Sequence, residues 1–229
     1  MRVCQIFLIA LLIACNNIPD KGFTNKAEAR NQTVNGLKEG KWIEYEDSVF
    51  DASSDTNAPF YSLTVYEAGK PYGITRWYYK DRKLCSEIPH KYGQIDGVMK
   101  LYFESGKLKQ EVPYSYGLKN GVEKMYYENG KTKTEFHYTN NKKNGIIKQY
   151  YESGKIKVEG TYINDKLTGT GKVFYESGQV MAETPMFDGQ INGIQKMYYE
   201  NGKLKSETPY SNGISGITRN YDEKGNAIK

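Results

Sequence analysis

Cysteine, histidine, tryptophan and proline are all scarce in this chain, and each scarcity narrows what it can be. Of 229 residues only three are cysteine, two are histidine and two are tryptophan. No Gly-x-Ser-x-Gly, His-Glu-x-x-His, phosphate loop or dinucleotide fingerprint is present, so the common hydrolytic, zinc-peptidase and nucleotide-binding chemistries have no carrier. Seven prolines against 23 glycines and 21 tyrosines suit short strands joined by tight turns. A block of charge of one sign is also missing. The net +5 arises from 32 basic and 27 acidic residues spread evenly along the chain, which gives a nucleic-acid role little support. Poverty in aromatics, the mark of disorder, does not apply at 14%. Long apolar runs are limited to Val3–Ala14, which is of signal-peptide length and too short to span a bilayer.

What is present is repetition. Met125-Tyr-Tyr-Glu-Asn-Gly-Lys131 recurs with variations at Leu101–Lys107, Gln149–Lys155, Val173–Gln179 and Met197–Lys203, its glycines (Gly106, Gly130, Gly154, Gly178, Gly202) each 24 residues apart. A second glycine column runs Gly73, Gly97, Gly121, Gly145, Gly169 and Gly193 at the same spacing, then Gly216 after 23. Fixed periods of this length mark repeat architectures. Each unit reads as glycine, strand, two-residue turn, strand and a turn-rich loop back to glycine. Asn129-Gly130 and Asn201-Gly202 are two-residue hairpin signals, with Ser-Gly at 105–106, 153–154 and 177–178 as weaker versions. The predicted fold is all-β: an elongated antiparallel β-meander of stacked hairpins.

A two-residue turn fixes register, and with it the faces. Glu128 would face Lys131, Tyr126 would face Lys133 and Lys124 would face Glu135; the same pairing gives Glu104–Lys107, Tyr102–Lys109, Lys100–Glu111, Glu152–Lys155, Lys148–Glu159, Glu200–Lys203 and Lys196–Glu207. Opposite charges directly across a pair contribute about 0.2–1 kcal/mol each, so the ladder reads as structural. The other face carries Phe103, Tyr127, Tyr151, Tyr175 and Tyr199 beside Leu101, Met125, Val173 and Met197, with Leu108, Ile156, Val180 and Leu204 across the turn, an apolar seam that closes only when hairpins stack. Tyr78, Tyr102, Tyr126, Tyr150, Phe174, Tyr198 and Tyr221 fall on the charged face among lysines. They either cover their own strands and the lysine stems or form a linear aromatic and basic strip, the candidate binding strip for a protein or a glycan. Lys80 would face Lys83, distorting that turn, and the polar Asp222 and Asn226 make the last hairpin a cap against edge pairing.

The ends and exceptions complete the division. Residues 47–59 break the period as an insertion at a hairpin tip. His90 and His137 sit in columns that other units fill with Tyr114 and Tyr210, and with Pro113, Pro185 and Pro209, so both are expected to be structural. They lie about two repeats apart, too far to share a metal. Nearly every carboxylate has a lysine across the strand; no catalytic residue, metal or cofactor is expected, and the protein is read as a non-enzyme.

Leu12-Ile13-Ala14-Cys15 resembles the lipobox of bacterial lipoproteins. The resemblance implies a signal peptide over 1–14, cleavage before Cys15 and lipidation of its sulfur, which anchors the chain to a membrane. Asn16 in place of aspartate favours the outer membrane of a Gram-negative cell. Cys4 then leaves with the leader and Cys85 stands alone, a small strand residue that can form no intrachain disulfide. Residues 15–34 are read as a flexible tether and 35–229 as the array.

The unit Tyr-Tyr-Glu-Asn-Gly-Lys-x-Lys-x-Glu, followed by Asn-Gly ahead of the next strand, resembles the bacterial variant of the MORN repeat over roughly Asn35 to Asn226. Such proteins form extended β-meanders, and many bacterial members are filed as YwqK-like antitoxins. The resemblance implies an envelope protein-binding scaffold with an unknown protein partner, a toxin being the most concrete one. The alternative is a structural envelope protein that binds glycan or peptidoglycan. Eukaryotic relatives are linked to membranes and phosphoinositides, from which this chain departs in its lipobox and its Tyr-Tyr-Glu core.

Overall fold

The computed structural model describes residues 22–47 and 52–228; the leader, Cys15 and the first part of the tether lie outside them. Twenty-two strands among the described residues form one antiparallel sheet in which each strand pairs with the next or the next but one in sequence. The expected meander is therefore present, with nearest-neighbour contacts as its organising rule.

The two kinds of turn are exchanged relative to the sequence expectation. Across Tyr127–Lys131 the amide of Tyr127 donates to the Lys131 carbonyl at 2.9 Å and that of Gly130 to the Tyr127 carbonyl at 2.9 Å. Gly130 alone takes positive φ (84°), so Glu128-Asn129-Gly130 is a three-residue loop closed by a glycine bulge. The same bonds recur at Phe103–Lys107, Tyr151–Lys155, Tyr175–Gln179 and Tyr199–Lys203. Two-residue turns with both residues at positive φ lie instead at the opposite ends of the strands, at Tyr116-Gly117, Asn140-Asn141, Asn164-Asp165, Asp188-Gly189 and Asn212-Gly213. There each second residue donates to a carbonyl 22 positions earlier, as Gly117 does to Ile95 at 2.8 Å, stitching one turn to the next.

The consequence for register is local. Strand bodies pair as expected: Lys124 with Glu135, Met125 with Thr134 and Glu123 with Phe136. Past Met125 the register shifts and Tyr126 meets Thr132 rather than Lys133. Tyr102 likewise meets Leu108, not Lys109. Glu128–Lys131, Glu104–Lys107, Glu152–Lys155 and Glu200–Lys203 are not strand pairs, because the loop occupies those residues. Lys80 does not face Lys83 either; Arg82 takes the glycine's left-handed place (φ 71°) and Lys83 pairs with Asp81 at 2.8 Å.

The second glycine column marks a bulge a few residues after each two-residue turn. Gly145 has φ 125°, and a Cβ there would lie 2.9 Å from the His137 Cβ. In most other units proline faces this glycine. Proline is tolerated because the Pro113 carbonyl accepts the Asn120 amide at 3.0 Å on the bulge side, so its missing N–H points where no ladder partner is required.

Burial is uneven. The tightest apolar cluster joins Phe23, Tyr61, Leu63 and Tyr78, with Ala29, Ile43, Tyr45, Val65 and Leu84 around it. This corrects the expected tether: its described part is folded, with Phe23 buried, a 3-10 turn over Lys26–Glu28 and a strand over Gln32–Val34 whose residues pair as Gln32–Glu39, Thr33–Lys38 and Val34–Leu37. The Asn31 side chain imitates a strand by bonding both the amide and the carbonyl of Ile43 at 2.9 Å. Together with Ala52–Ser53 on Tyr45–Glu46, these pieces seal the first edge of the sheet. Farther along, burial falls on Val112, Ile147 and Ala182, whereas Met197 of the expected seam is exposed.

Candidate functional site

Register alone draws one continuous row of alternating charge across the sheet. It runs Arg76–Glu87–Lys100–Glu111–Lys124–Glu135–Lys148 and on through Glu159–Lys172–Glu183–Lys196–Glu207–Arg219. Side chains close to 3.0 Å at Arg76–Glu87, 3.3 Å at Lys172–Glu183 and 3.7 Å at Lys124–Glu135. Each exposed pair is worth little, but the alternation forbids a slip of one strand past the next, which would bring like charges together.

The tyrosines of the proposed strip belong to this row. Tyr102 donates to Glu87, Tyr126 to Glu111, Tyr150 to Glu135 and Tyr198 to Glu183 at 2.8, 2.8, 2.9 and 3.0 Å, and Tyr221 reaches Glu207 at 3.2 Å. Each hydroxyl thus points back to the preceding hairpin. The second tyrosine of the pair points forward: Tyr127 donates to the Tyr150 carbonyl at 2.6 Å, Tyr151 to that of Phe174, Tyr175 to that of Tyr198 and Tyr199 to that of Tyr221. One Tyr-Tyr dipeptide therefore ties its hairpin to both neighbours, which gives Tyr126 a structural duty. Burial first, then the glutamate bond, pushes the Tyr126 and Tyr150 hydroxyls up to about 12 and raises those of Tyr102 and Tyr198 as well.

These placements change what the strip can offer. Tyr78 is buried and stacks on Tyr61 at 5.1 Å, beneath the segment that carries Phe23. Tyr102, Tyr126, Tyr150, Tyr198 and Tyr221 are half-buried with hydroxyls engaged, and Phe174 has none to offer. The strip is mainly a fastening.

The two edges of the sheet differ more than its faces. The three-residue loops present Glu, Asn, Ser and Lys. The two-residue turns carry Tyr92 and Tyr116, with Phe187 and Ile214 beside the later turns, at 73, 68, 67 and 75% exposure. Ile163 and Leu118 are exposed along the same edge. Sequence reasoning passed over this edge because it searched strand columns, and the exposed apolar residues do not share one column. The signal lay in apolar residues standing beside turn dipeptides.

The remaining candidates lie apart from one another. Glu123, buried on the face opposite the charge row, is held by Lys119 and Gln110 at 2.8 and 2.6 Å. Half-buried Cys85 sits by Tyr79, whose hydroxyl is pushed up to about 12, first by their hydrogen bond and then by burial. Burial lowers the His90 pKa. No cluster of metal-ligating side chains occurs among the described residues.

Compared with known families, residues 95–116, 119–140, 143–164, 167–188 and 191–212 match the MORN repeat variant. Each match starts just after one two-residue turn and ends at the next, so it encloses one hairpin. Residues 95–212 are a tandem array of MORN repeats. Hairpins of similar build stand on both sides of the matched residues, and the charge row passes through them from Arg76 and on to Arg219. No curated protein matches the chain. The MORN array is a repeat scaffold, its unit devoted to joining neighbours.

Proposed function

We propose that this chain is a non-enzymatic, protein-binding scaffold, held at the cell envelope through a lipid on Cys15. The observation that carries the binding reading is the apolar turn edge. Tyr92, Tyr116, Ile163, Phe187 and Ile214 stand exposed along one border of a sheet whose other border is polar. Exposed apolar side chains gathered on one border are the usual mark of a macromolecular contact, and aromatic residues dominate such contacts. A protein toxin is the most concrete partner, which would make the protein an antitoxin or immunity protein. The lipidation reading rests on Leu12-Ile13-Ala14-Cys15.

Two experiments test the two halves. The full chain and its Tyr92→Ser, Tyr116→Ser, Phe187→Ser, Ile214→Ser variant are used to capture proteins from envelope extracts. One protein retained by the first and lost by the second supports the reading. Equal retention by both, or enrichment of sugar polymer with no protein, overturns it. Replacing Cys15 with serine is expected to release the protein from membranes, and continued membrane association would refute the anchor.

A further inference from the structure

A trough of about 350 Å³ opens on the first hairpins, on the sheet face opposite Phe23. Ser62, Thr64, Thr75, Glu44, Trp77 and His90 line it, and the three hydroxyl-bearing residues are buried at 3, 3 and 6% exposure. Its size falls in the range of small-ligand sites.

The trough arises where the repeat departs from its own columns. Thr75 stands in a mixed column that later units fill with Met99, Glu123, Ile147, Gly171 and Gln195. Trp77 stands where they have Leu101, Met125, Val173 and Met197, and His90 where they have Tyr114, Tyr138, Tyr162 and Tyr210. One indole and one imidazole thus replace the usual aliphatic and phenolic side chains in a single place, while the sheet pairing continues unchanged through Thr75–Ile88 and Trp77–Ser86. Nothing in the strand pairing requires this set, since the later units pair identically without it.

The chemistry selects the ligand. Among the described residues no lysine or arginine lines the trough, so these residues offer no direct counter-charge for a phosphate or carboxylate. Two carboxylates, Glu44 and Glu46, stand at the trough; Glu44 is answered by the Lys38 ammonium and by the Tyr66 hydroxyl at 2.8 Å and retains acceptor capacity. Hydroxyls and imidazole both donate and accept, as sugar hydroxyls do, and an indole offers an apolar surface to the C–H face of a pyranose ring. The imidazole Nδ1 of His90 is buried and has no hydrogen-bond partner among the described residues. We propose that this trough, lined by Ser62, Thr64, Thr75, Trp77 and His90, is a binding site for a neutral saccharide. It is separate from the turn edge, so its failure would leave the protein-binding reading standing, and the converse holds.

Because the chain has two tryptophans, the full-length Trp42→Phe protein reports on Trp77 alone. Maltotriose, cellotriose and chitotriose are titrated in turn while its fluorescence is followed, and calorimetry on the unsubstituted chain repeats the test without that change. At least one sugar is expected to give a saturable signal, weakened about tenfold by Thr75→Val and by His90→Phe, each removing hydrogen-bonding capacity from the trough. Tyr126→Phe, outside the trough, is expected to leave affinity unchanged, and inorganic phosphate should not compete. The absence of saturable binding for all three sugars overturns the proposal. So does affinity unaltered in both trough variants, or displacement by phosphate.

Discussion

Phe174 is the gap in the tyrosine ladder, and filling it tests how the hairpins are held together. At the four equivalent positions Tyr102, Tyr126, Tyr150 and Tyr198 each donate to the glutamate fifteen residues earlier at 2.8–3.0 Å. The corresponding glutamate for Phe174 is Glu159, which lies between Lys148 and Lys172 in the charge row. Phe174→Tyr supplies one hydroxyl at the column position whose geometry its neighbours already define. A hydrogen bond to a charged group contributes about 1.5–3 kcal/mol when well buried. The glutamates of this row retain exposure, 24% for Glu135 and 31% for Glu183, so the gain should be nearer about 1 kcal/mol. In urea unfolding that corresponds to a midpoint raised by about 0.3–0.5 M for a chain of this size. The gain should disappear when Glu159→Ala is present, since the acceptor is then gone. Phe174→Tyr that leaves the midpoint unchanged or lowers it, or a gain that persists beside Glu159→Ala, would refute the reasoning.

Other expectations follow from the same contacts. Gly145→Ala should lower thermal stability by about 2 kcal/mol or more, because φ is 125° and the new Cβ would meet His137 at 2.9 Å. Gly171→Ala should instead raise it by about 0.5 kcal/mol, since the new Cβ meets nothing nearer than the Thr184 carbonyl at 3.8 Å. Alkaline titration should destabilise the array. Tyr66, Tyr102, Tyr126, Tyr150 and Tyr198 all have raised pKa values from burial and glutamate bonds. The unfolded chain therefore loses these protons first, near pH 10, and stability is full below that pH and falls as pH rises through about 12. Tyrosinate absorbance followed beside circular dichroism should show ionisation and unfolding together above pH 10; ionisation complete near pH 10 in a folded chain would contradict it. Phe23→Ala should cost about 3 kcal/mol, read by hydrogen exchange as faster opening at Ile43 and Leu63 with strands beyond Gly145 unchanged.

Much of this architecture is legible from residue types. Charge signs at Lys100, Glu111, Lys124 and Glu135 fix which strand bodies face each other, because only one register sets opposite charges together throughout. Turn type was misread because Asn129-Gly130 satisfies two geometries. The discriminating signal was elsewhere: Ser105, Ser153 and Ser177 are poor residues for positive φ, whereas Asn140-Asn141, Asn164-Asp165 and Asp188-Gly189 suit it. Contacts between hairpins were harder. The reach of Tyr126 to Glu111 joins residues on different strands through side-chain length and direction, which strand alternation does not encode. Phe23 was hidden for a related reason: a lone aromatic in a polar segment gives no periodic signal, and only the cleft formed by Tyr61, Leu63 and Tyr78 gives it a place. The apolar turn edge and the trough are both departures from the repeat, visible only once the columns are aligned in space.

The most direct test of the scaffold account is a hydrogen-exchange footprint of the full chain with and without the protein it captures. Slower exchange is expected around the two-residue turns at 92–93, 116–117, 188–189 and 212–213, with the three-residue loops at 104–106, 128–130 and 200–202 unaffected. Protection confined to those polar loops, or to the strands carrying Tyr102, Tyr126 and Tyr150, with the turn edge unchanged, would contradict it.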